Sequence, residues 1–147
     1  MLFRSHVAHD CVVHNHVVLA NQATLAGHVI VEDRAIIGGL SAVHQFVRIG
    51  ELALIGGCSK VVQDVPPFVM ADGHPVHAYG INTVGLERAG LPKEEKTVLK
   101  KAFKIVFKSK HTLKNAIRLI VESGLPTTPA LTSFLQFLKT SERGICR

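Results

Sequence analysis

Aliphatic residues recur at every sixth position of this chain from Val7 to Val61, without interruption. A small or β-branched residue stands four positions after each of them, in a second series from Cys11 to Val65. A period of six fits neither an amphipathic helix nor a two-sided strand, but it fits a parallel β-helix whose coil has three faces of one hexad each. We therefore predict a mainly β fold in which residues 1–65 form a hexapeptide-repeat β-helix. The aliphatic series should fill its interior, and the small residues should occupy its corners.

The repeat pattern ends near Val65, where Pro66 and Pro67 disfavour further strand pairing. Residues 66–91 are rich in glycine, which predicts an extended connection with little regular structure. Residues 92–147 are predicted to form a small α-helical carboxy-terminal domain. Its three expected helices are a first over 93–108 behind Pro92, a second from the cap Thr112 to Ser123, and a third that contains Leu131, Phe134, Leu135 and Leu138.

The hexad frame already includes Met1 and Ser5, so no capping segment precedes the first coil. An uncapped end coil exposes apolar side chains and unpaired strand edges. We therefore expect this chain to be the second part of a longer protein, with amino-terminal coils missing. About three and a half coils are close to the minimum for stable stacking, so lateral packing against other copies is also expected.

Charge is divided unevenly along the 147 residues, whose net charge is +6. Residues 1–87 carry a net charge of −3 and residues 88–147 a net charge of +9. The basic surplus indicates either a solvated helix face or a docking surface for an acidic macromolecule. Nucleic acid is not an expected partner, because aromatic residues make up 5% of the chain and no binding motif occurs.

The three cysteines, Cys11, Cys58 and Cys146, are scattered and lack metal-ligand spacing. Such a set is typical of reduced thiols in the cytosol rather than of a disulfide framework. The sequence has no run of about 18 apolar residues to span a membrane and no signal-peptide pattern. We expect a cytoplasmic protein without a membrane span.

Residues eighteen apart should lie directly above one another, because each coil contains three hexads. This register produces a column of His9, Gly27 and Gln45, beside one of Asp10, His28 and Phe46 and one of Ala8, Ala26 and His44. His6 lies near the same corner. A histidine oriented by a carboxylate can act as a general base, and a glycine N–H can stabilise an oxyanion. We therefore predict a candidate catalytic patch, although each of these residues taken singly is more often solvated or structural.

Gly39 and Gly57 are stacked in a further column with Asn21. Two missing side chains in one column predict a groove on the outer surface, which would suit an acyl chain. The alternative is that these glycines relieve crowding at corners, as expected for most of Gly38, Gly39, Gly56 and Gly57.

The motifs HxxHD, LAGH, IGG, AVHQF, GGCS, QDVPP and GxNxxGLxR occur in this order along the chain. Together they resemble the bacterial UDP-N-acetylglucosamine O-acyltransferase family, over the whole of this chain. The resemblance implies a left-handed β-helix and a homotrimer with active sites between neighbouring subunits. It also implies transfer of an R-3-hydroxyacyl group from acyl carrier protein to the glucosamine 3-hydroxyl, the first step of lipid A synthesis. The donor is carried on phosphopantetheine, so no cofactor and no metal are expected.

The resemblance also implies roles for individual residues. His9 would be the general base, Asp10 its orienting carboxylate and Gly27 the oxyanion donor. Four further residues match positions that contact substrate, namely His6, His28, His44 and Gln45. Gly57 matches the position that measures acyl length. Asn82 and Arg88 match residues that contact uracil and the phosphates. The basic carboxy-terminal part would suit the acidic carrier protein.

Two other interpretations remain open. A zinc-dependent carbonic anhydrase also uses a β-helix trimer, and the cluster of His6, His9, His28 and His44 would suit a metal. Alternatively, the chain is a truncated, non-catalytic trimeric scaffold whose site residues lack their substrate-binding partners.

Overall fold

The computed structural model describes residues 4–147 and shows a left-handed parallel β-helix followed by α-helices. Each of the first seven strands of the coil pairs in parallel with the strand eighteen residues further on, as His6 does with Thr24. This register confirms three hexads per coil. The ten two-residue strands are β1 (His6–Val7), β2 (Val12–Val13), β3 (Val18–Leu19), β4 (Thr24–Leu25), β5 (Ile30–Val31), β6 (Ile36–Ile37), β7 (Ala42–Val43), β8 (Arg48–Ile49), β9 (Leu54–Ile55) and β10 (Lys60–Val61).

The interior of the coil is formed by the two predicted series. From Leu19 to Val61 every aliphatic residue of the first series is buried, and from Ala23 to Val65 so is every residue of the second. Full burial of each Val, Leu or Ile side chain contributes about 1.5–3 kcal/mol. Val7 and Val13 are each 40% exposed, because they lie in the first described coil. The predicted place of Met1 in the series lies outside the described residues.

A left-handed backbone residue stands at every corner of the coil. From Arg4 to Cys58, every sixth residue has φ between 50° and 65°. This conformation costs a non-glycine residue about 1–2 kcal/mol. Backbone hydrogen bonds between coils stabilise it, since the N–H of His28 donates to the carbonyl of His9 and that of Phe46 to the carbonyl of Gly27.

Residues 66–91 contain more regular structure than the sequence predicts. The strand β11 (Val69–Gly73) pairs in parallel with β9, so sheet formation resumes directly after Pro66 and Pro67. It forms an antiparallel hairpin with β12 (Val76–Ile81), and the helix α1 (Thr83–Arg88) follows. The prediction of an extended connection with little regular structure was wrong here, because pairing with a neighbouring strand overrides local glycine content. The three sheets are ordered β1-β4-β7-β10, β2-β5-β8 and β3-β6-β9-β11-β12.

The three predicted carboxy-terminal helices are present as α2 (Lys93–Phe107), α3 (Leu113–Glu122) and α4 (Pro129–Thr140). Pro92 stands at the cap of α2, and the hydroxyl of Thr112 accepts a hydrogen bond from the N–H of Asn115. Their apolar faces share a core with residues of the connection, including Phe68 and Leu86. No helix within residues 4–147 is both long and apolar enough to cross a membrane.

The helices are fixed to the coil through buried Asp64. Its carboxylate accepts hydrogen bonds from the N–H of Arg48 at 2.8 Å and from the hydroxyl of Ser141 at 2.7 Å. The guanidinium of Arg48 lies 4.3 Å from the ring centroid of Phe137 in α4 and pairs with Glu32. These contacts hold α4 against the β2-β5-β8 face and thereby fix the position of the helices relative to the coil.

Candidate functional site

His9 and Asp10 lie in the turn that follows β1. The left-handed φ of 58° at Asp10 brings its side chain beside that of His9, although neighbouring residues of a strand point to opposite faces. The Nδ1 of His9 lies 2.9 Å from Oδ2 of Asp10. With Nδ1 donating its hydrogen to the carboxylate, Nε2 is the nitrogen left to accept a proton. The two side chains are 73% and 65% exposed, so a substrate can reach them.

The charge state of Asp10 is set by its histidine neighbours. The hydrogen bond from His9, followed by the positive charge available on His28, lowers the pKa of Asp10 below its ordinary value. Asp10 is therefore ionised throughout the neutral range and can stabilise a protonated imidazole.

Gly27 lies one coil above His9, directly against its ring. A Cβ built on Gly27 would lie 2.7 Å from Cε1 and 2.8 Å from Nε2 of His9. No side chain fits between the backbone of residue 27 and this imidazole. Among the contacts of residues 4–147, the N–H of Gly27 has no acceptor. It is therefore a free donor beside the basic nitrogen.

His28 and Phe46 continue the patch upward. The Nε2 of His28 lies 3.7 Å from Oδ2 of Asp10, and its ring meets that of His9 edge to face at 5.2 Å. The ring of Phe46 stacks on His28 with a centroid distance of 4.8 Å. Phe46 was not among the predicted site residues. Its place in the column above Asp10 and His28 was the signal in the sequence that could have identified it.

The other predicted histidines surround this patch without a hydrogen bond to His9 among the described residues. His6 lies in β1, is exposed, and pairs through its backbone with β4. His44 and Gln45 follow β7, and Nδ1 of His44 lies 3.1 Å from the carbonyl oxygen of Gln45. Gln45 occupies the column of His9 and Gly27.

Gly57 lies at a different corner of the coil, in the turn after β9. A Cβ at Gly57 would lie 3.3 Å from the carbonyl oxygen of Gly39, and one at Gly39 would lie 3.0 Å from that of Asn21. The predicted column is therefore present. Gly38, by contrast, relieves crowding, since a Cβ there would lie 2.5 Å from the N of Gly57.

Asn82 and Arg88 line a separate cavity of about 350 Å³ between α1 and the coil. The Asn82 side chain is buried, donates to the carbonyl of Leu52 at 2.9 Å and accepts from the N–H of Gly85 at 3.0 Å. It caps α1, and both ends of its amide are used within the chain. Arg88 is exposed at the end of α1, and Arg34, which the sequence did not single out, lines the same cavity.

One cluster in this site has the composition of a metal centre. His9, Asp10 and His28 each offer a ligand atom, and these atoms lie within 4.8 Å of one another. Two imidazoles and a carboxylate suit a divalent metal such as zinc. The same three groups also suit proton transfer, in which the carboxylate orients an imidazole.

Comparison with known proteins identifies the family of this chain. Residues 64–146 match the family model described as UDP N-acetylglucosamine O-acyltransferase, domain 2. An acyl-(acyl-carrier-protein) UDP-N-acetylglucosamine O-acyltransferase of Aliivibrio fischeri is 46% identical over 97% of this chain and 54% of its own length. One from Burkholderia orbicola is 43% identical over 97% of this chain and 55% of its own length. The chain thus spans about half the length of the curated relatives it matches.

Solved structures agree with the sequence relatives. The UDP-N-acetylglucosamine acyltransferase of Bacteroides fragilis superposes with a TM-score of 0.90 at 32% identity, over 94% of this chain and 54% of that chain. The Arabidopsis enzyme superposes with a TM-score of 0.85 at 37% identity, over 94% of this chain and 51% of that chain. With a matching family model and these relatives, the chain belongs to the UDP-N-acetylglucosamine O-acyltransferase family.

Proposed function

We propose that this chain carries the catalytic patch of an acyltransferase of the first step of lipid A synthesis. The enzyme would move an R-3-hydroxyacyl group from acyl carrier protein to the 3-hydroxyl of UDP-N-acetylglucosamine. The observation that carries the proposal is the arrangement of His9 between the carboxylate of Asp10, at 2.9 Å, and the backbone of Gly27. Relatives at 42–46% identity whose names give this donor and acceptor support it.

In this mechanism Nε2 of His9 removes the proton of the sugar 3-hydroxyl as the oxygen attacks the thioester carbonyl. The ionised carboxylate of Asp10 stabilises the imidazolium that forms. The N–H of Gly27 donates to the oxyanion of the tetrahedral intermediate. When this intermediate collapses, the carbon–sulfur bond breaks and His9 returns the proton to the leaving thiolate of phosphopantetheine. The step uses no cofactor and no metal.

The remaining predicted residues complete the substrate site in this proposal. His6, His28, His44 and Gln45 would contact the sugar and the donor arm around His9. Gly57 would mark the end of the acyl groove, over Gly39 in the same column. Asn82 makes two hydrogen bonds within the chain and would thereby shape the nucleotide cavity, where it would contact uracil at the cavity surface. Arg88 would bind phosphate.

We further propose a homotrimer with sites between subunits. The outward-facing side chains of Val12 and Ile30 are stacked on one face of the coil and are 49% and 38% exposed. Burial of this apolar strip by a neighbouring copy would stabilise the assembly. A cytoplasmic location belongs to the same proposal, because all three cysteines are free.

The direct test is an assay of the purified chain with R-3-hydroxyacyl carrier protein and UDP-N-acetylglucosamine, with product measured by mass spectrometry. We expect product from the parent and a loss of about 10²–10⁴-fold in kcat for His9→Ala, the range for a general base. His14→Ala, at an exposed histidine outside the patch, is the matched control. A loss below about tenfold for His9→Ala would remove the assignment.

The two alternatives predict different results when the same purified protein is measured. A trimer by sedimentation that forms no product at any substrate concentration supports the non-catalytic scaffold. The zinc interpretation is supported by the cluster of His9, Asp10 and His28. Stoichiometric zinc together with hydration of carbon dioxide would support a carbonic anhydrase and contradict the acyltransferase.

A further inference from the structure

The cavity between α1 and the coil contains two guanidinium groups from distant parts of the chain. Arg88 comes from the last turn of α1, and Arg34 comes from the corner that follows β5. The backbone N–H of Arg34 donates to the carbonyl of Asn15 at 2.8 Å, which fixes the base of its side chain to the preceding coil. The cavity is otherwise mainly apolar, with walls formed by Ile36, Leu52, Leu54 and Val84.

Neither guanidinium forms a salt bridge among the described residues. The charge of Arg34 does act on Glu51, where it opposes the burial that raises the pKa of that carboxyl. Among the interactions of residues 4–147, no carboxylate lies within 4 Å of Arg34 or Arg88, and neither side chain donates a hydrogen bond. Arg48 differs in this respect, because it is paired with Glu32 at 2.6 Å. Two unpaired cations beside a shared apolar wall favour a ligand with at least two negative charges.

We propose that Arg34 is a second phosphate-binding residue, which holds the diphosphate of the nucleotide sugar together with Arg88. This assignment rests on the proposed function for the identity of the nucleotide. A guanidinium presents a planar set of donors that matches phosphate oxygens, so two of them can each bind one phosphate of a diphosphate. Asn82 is buried and uncharged, with each end of its amide hydrogen-bonded within the chain, and Ala89 on the same cavity wall has no polar side chain. The apolar wall offers a surface for the face of the base.

The test is calorimetric titration of the parent chain and its variants with UDP, and separately with uridine. Arg34→Gln should weaken UDP binding about tenfold, as the loss of one charged hydrogen-bonding partner does. It should also flatten the dependence of affinity on salt and leave uridine binding unchanged. Arg118→Gln, at an exposed arginine of α3 outside the cavity, is the matched control and should bind UDP as the parent does.

A rescue variant makes the test more specific. Ala89→Arg places a new guanidinium on the same cavity wall, so Arg34→Gln combined with Ala89→Arg should regain most of the lost affinity. Equal melting temperatures of the variants would show that each is folded, as expected for an exposed side chain such as Arg34.

The outcomes separate this inference from the proposed function. Parent-like UDP affinity in Arg34→Gln, with weaker binding in Arg88→Gln, would overturn the role of Arg34 and leave the acyltransferase proposal intact. Absence of acyl transfer with UDP binding that depends on Arg34 would overturn the proposed function and support the inference. A parent chain that does not bind UDP would overturn the inference.

Discussion

The ring of Phe46 lies nearly parallel to the imidazole of His28, with an interplanar angle of 15° and a centroid distance of 4.8 Å. His28 in turn meets the edge of His9 and lies 3.7 Å from the carboxylate of Asp10. Three rings from three successive coils therefore form a continuous series of contacts, one edge to face and one stacked. We expect Phe46 to limit the rotamers of His28 and thereby to position it within the proposed catalytic patch.

Replacement of Phe46 by Leu should lower kcat/KM about two- to tenfold, because an aromatic pair contributes about 0.5–1.5 kcal/mol. The fold should tolerate the change, since Leu40 and Leu52 adopt the same left-handed conformation. The independent readout is the Hε1 proton resonance of His28, which should shift when the ring current is lost. Phe46→Tyr keeps the ring and should keep both properties. An unmoved His28 resonance in Phe46→Leu would contradict the stacked arrangement in solution.

Substitution of Gly27 by Ala should reduce activity with little effect on stability. The new Cβ would lie 2.7 Å from Cε1 of His9, so the exposed imidazole must move away from the backbone N–H. We expect at least a tenfold loss of kcat and a change in unfolding free energy within about 0.5 kcal/mol. Gly38→Ala provides the contrast, because its Cβ would meet backbone atoms of Gly56 and Gly57 and should destabilise the coil. Full activity in Gly27→Ala would contradict the requirement that His9 lie close to the backbone of residue 27.

Substitution of Gly57 by Met should shift the preference of the enzyme toward shorter acyl donors. A side chain there would fill the space over Gly39, and each excluded methylene would lose about 0.8 kcal/mol of burial. The measurement is the ratio of kcat/KM for a long and a short R-3-hydroxyacyl carrier protein. An unchanged ratio would remove Gly57 from the acyl site.

Charge reversal at Lys100 and Lys104 should raise the KM for acyl carrier protein and leave the KM for the nucleotide sugar nearly unchanged. These lysines line a second cavity of about 370 Å³ with Lys108 and apolar residues of α2 and β12. Attraction to an acidic protein is screened over about 8 Å at physiological salt, so the effect should decrease as salt rises. Reversal at Lys101 and Lys139, which are exposed outside this cavity, changes the net charge equally. Equal KM values in both double variants would indicate an ordinary solvated surface.

The stability of the chain should decrease in alkaline solution partly through Cys146. Burial raises the pKa of this thiol from its ordinary value of 9.0 to about 12. Between these two values the unfolded chain releases the proton and the folded chain retains it, so the free energy of unfolding falls as pH rises. Near pH 10 we expect a decrease of about 1 kcal/mol that is absent in Cys146→Ala, measured by chemical denaturation. Parallel pH profiles of the two proteins would contradict this effect.

The sequence alone determined the coil, because a side chain at every sixth position must point inward in a three-sided prism. The same arithmetic placed Gly27 over His9 and predicted the Asp10, His28 and Phe46 column. Local patterns also sufficed for α2, α3 and α4, whose apolar stripes and caps lie within each segment.

Only the tertiary structure decided the features that depend on contacts between distant segments. The hairpin of β11 and β12 forms where glycine content predicted no regular structure, because β9 offers an unpaired edge. The contact of His9 with Asp10 needs the left-handed corner that inter-coil hydrogen bonds impose. Arg34 and Arg88 line the same cavity only because α1 packs on the coil. Periodicity reports which side of an element a residue occupies, whereas the meeting of elements depends on packing that no local pattern contains.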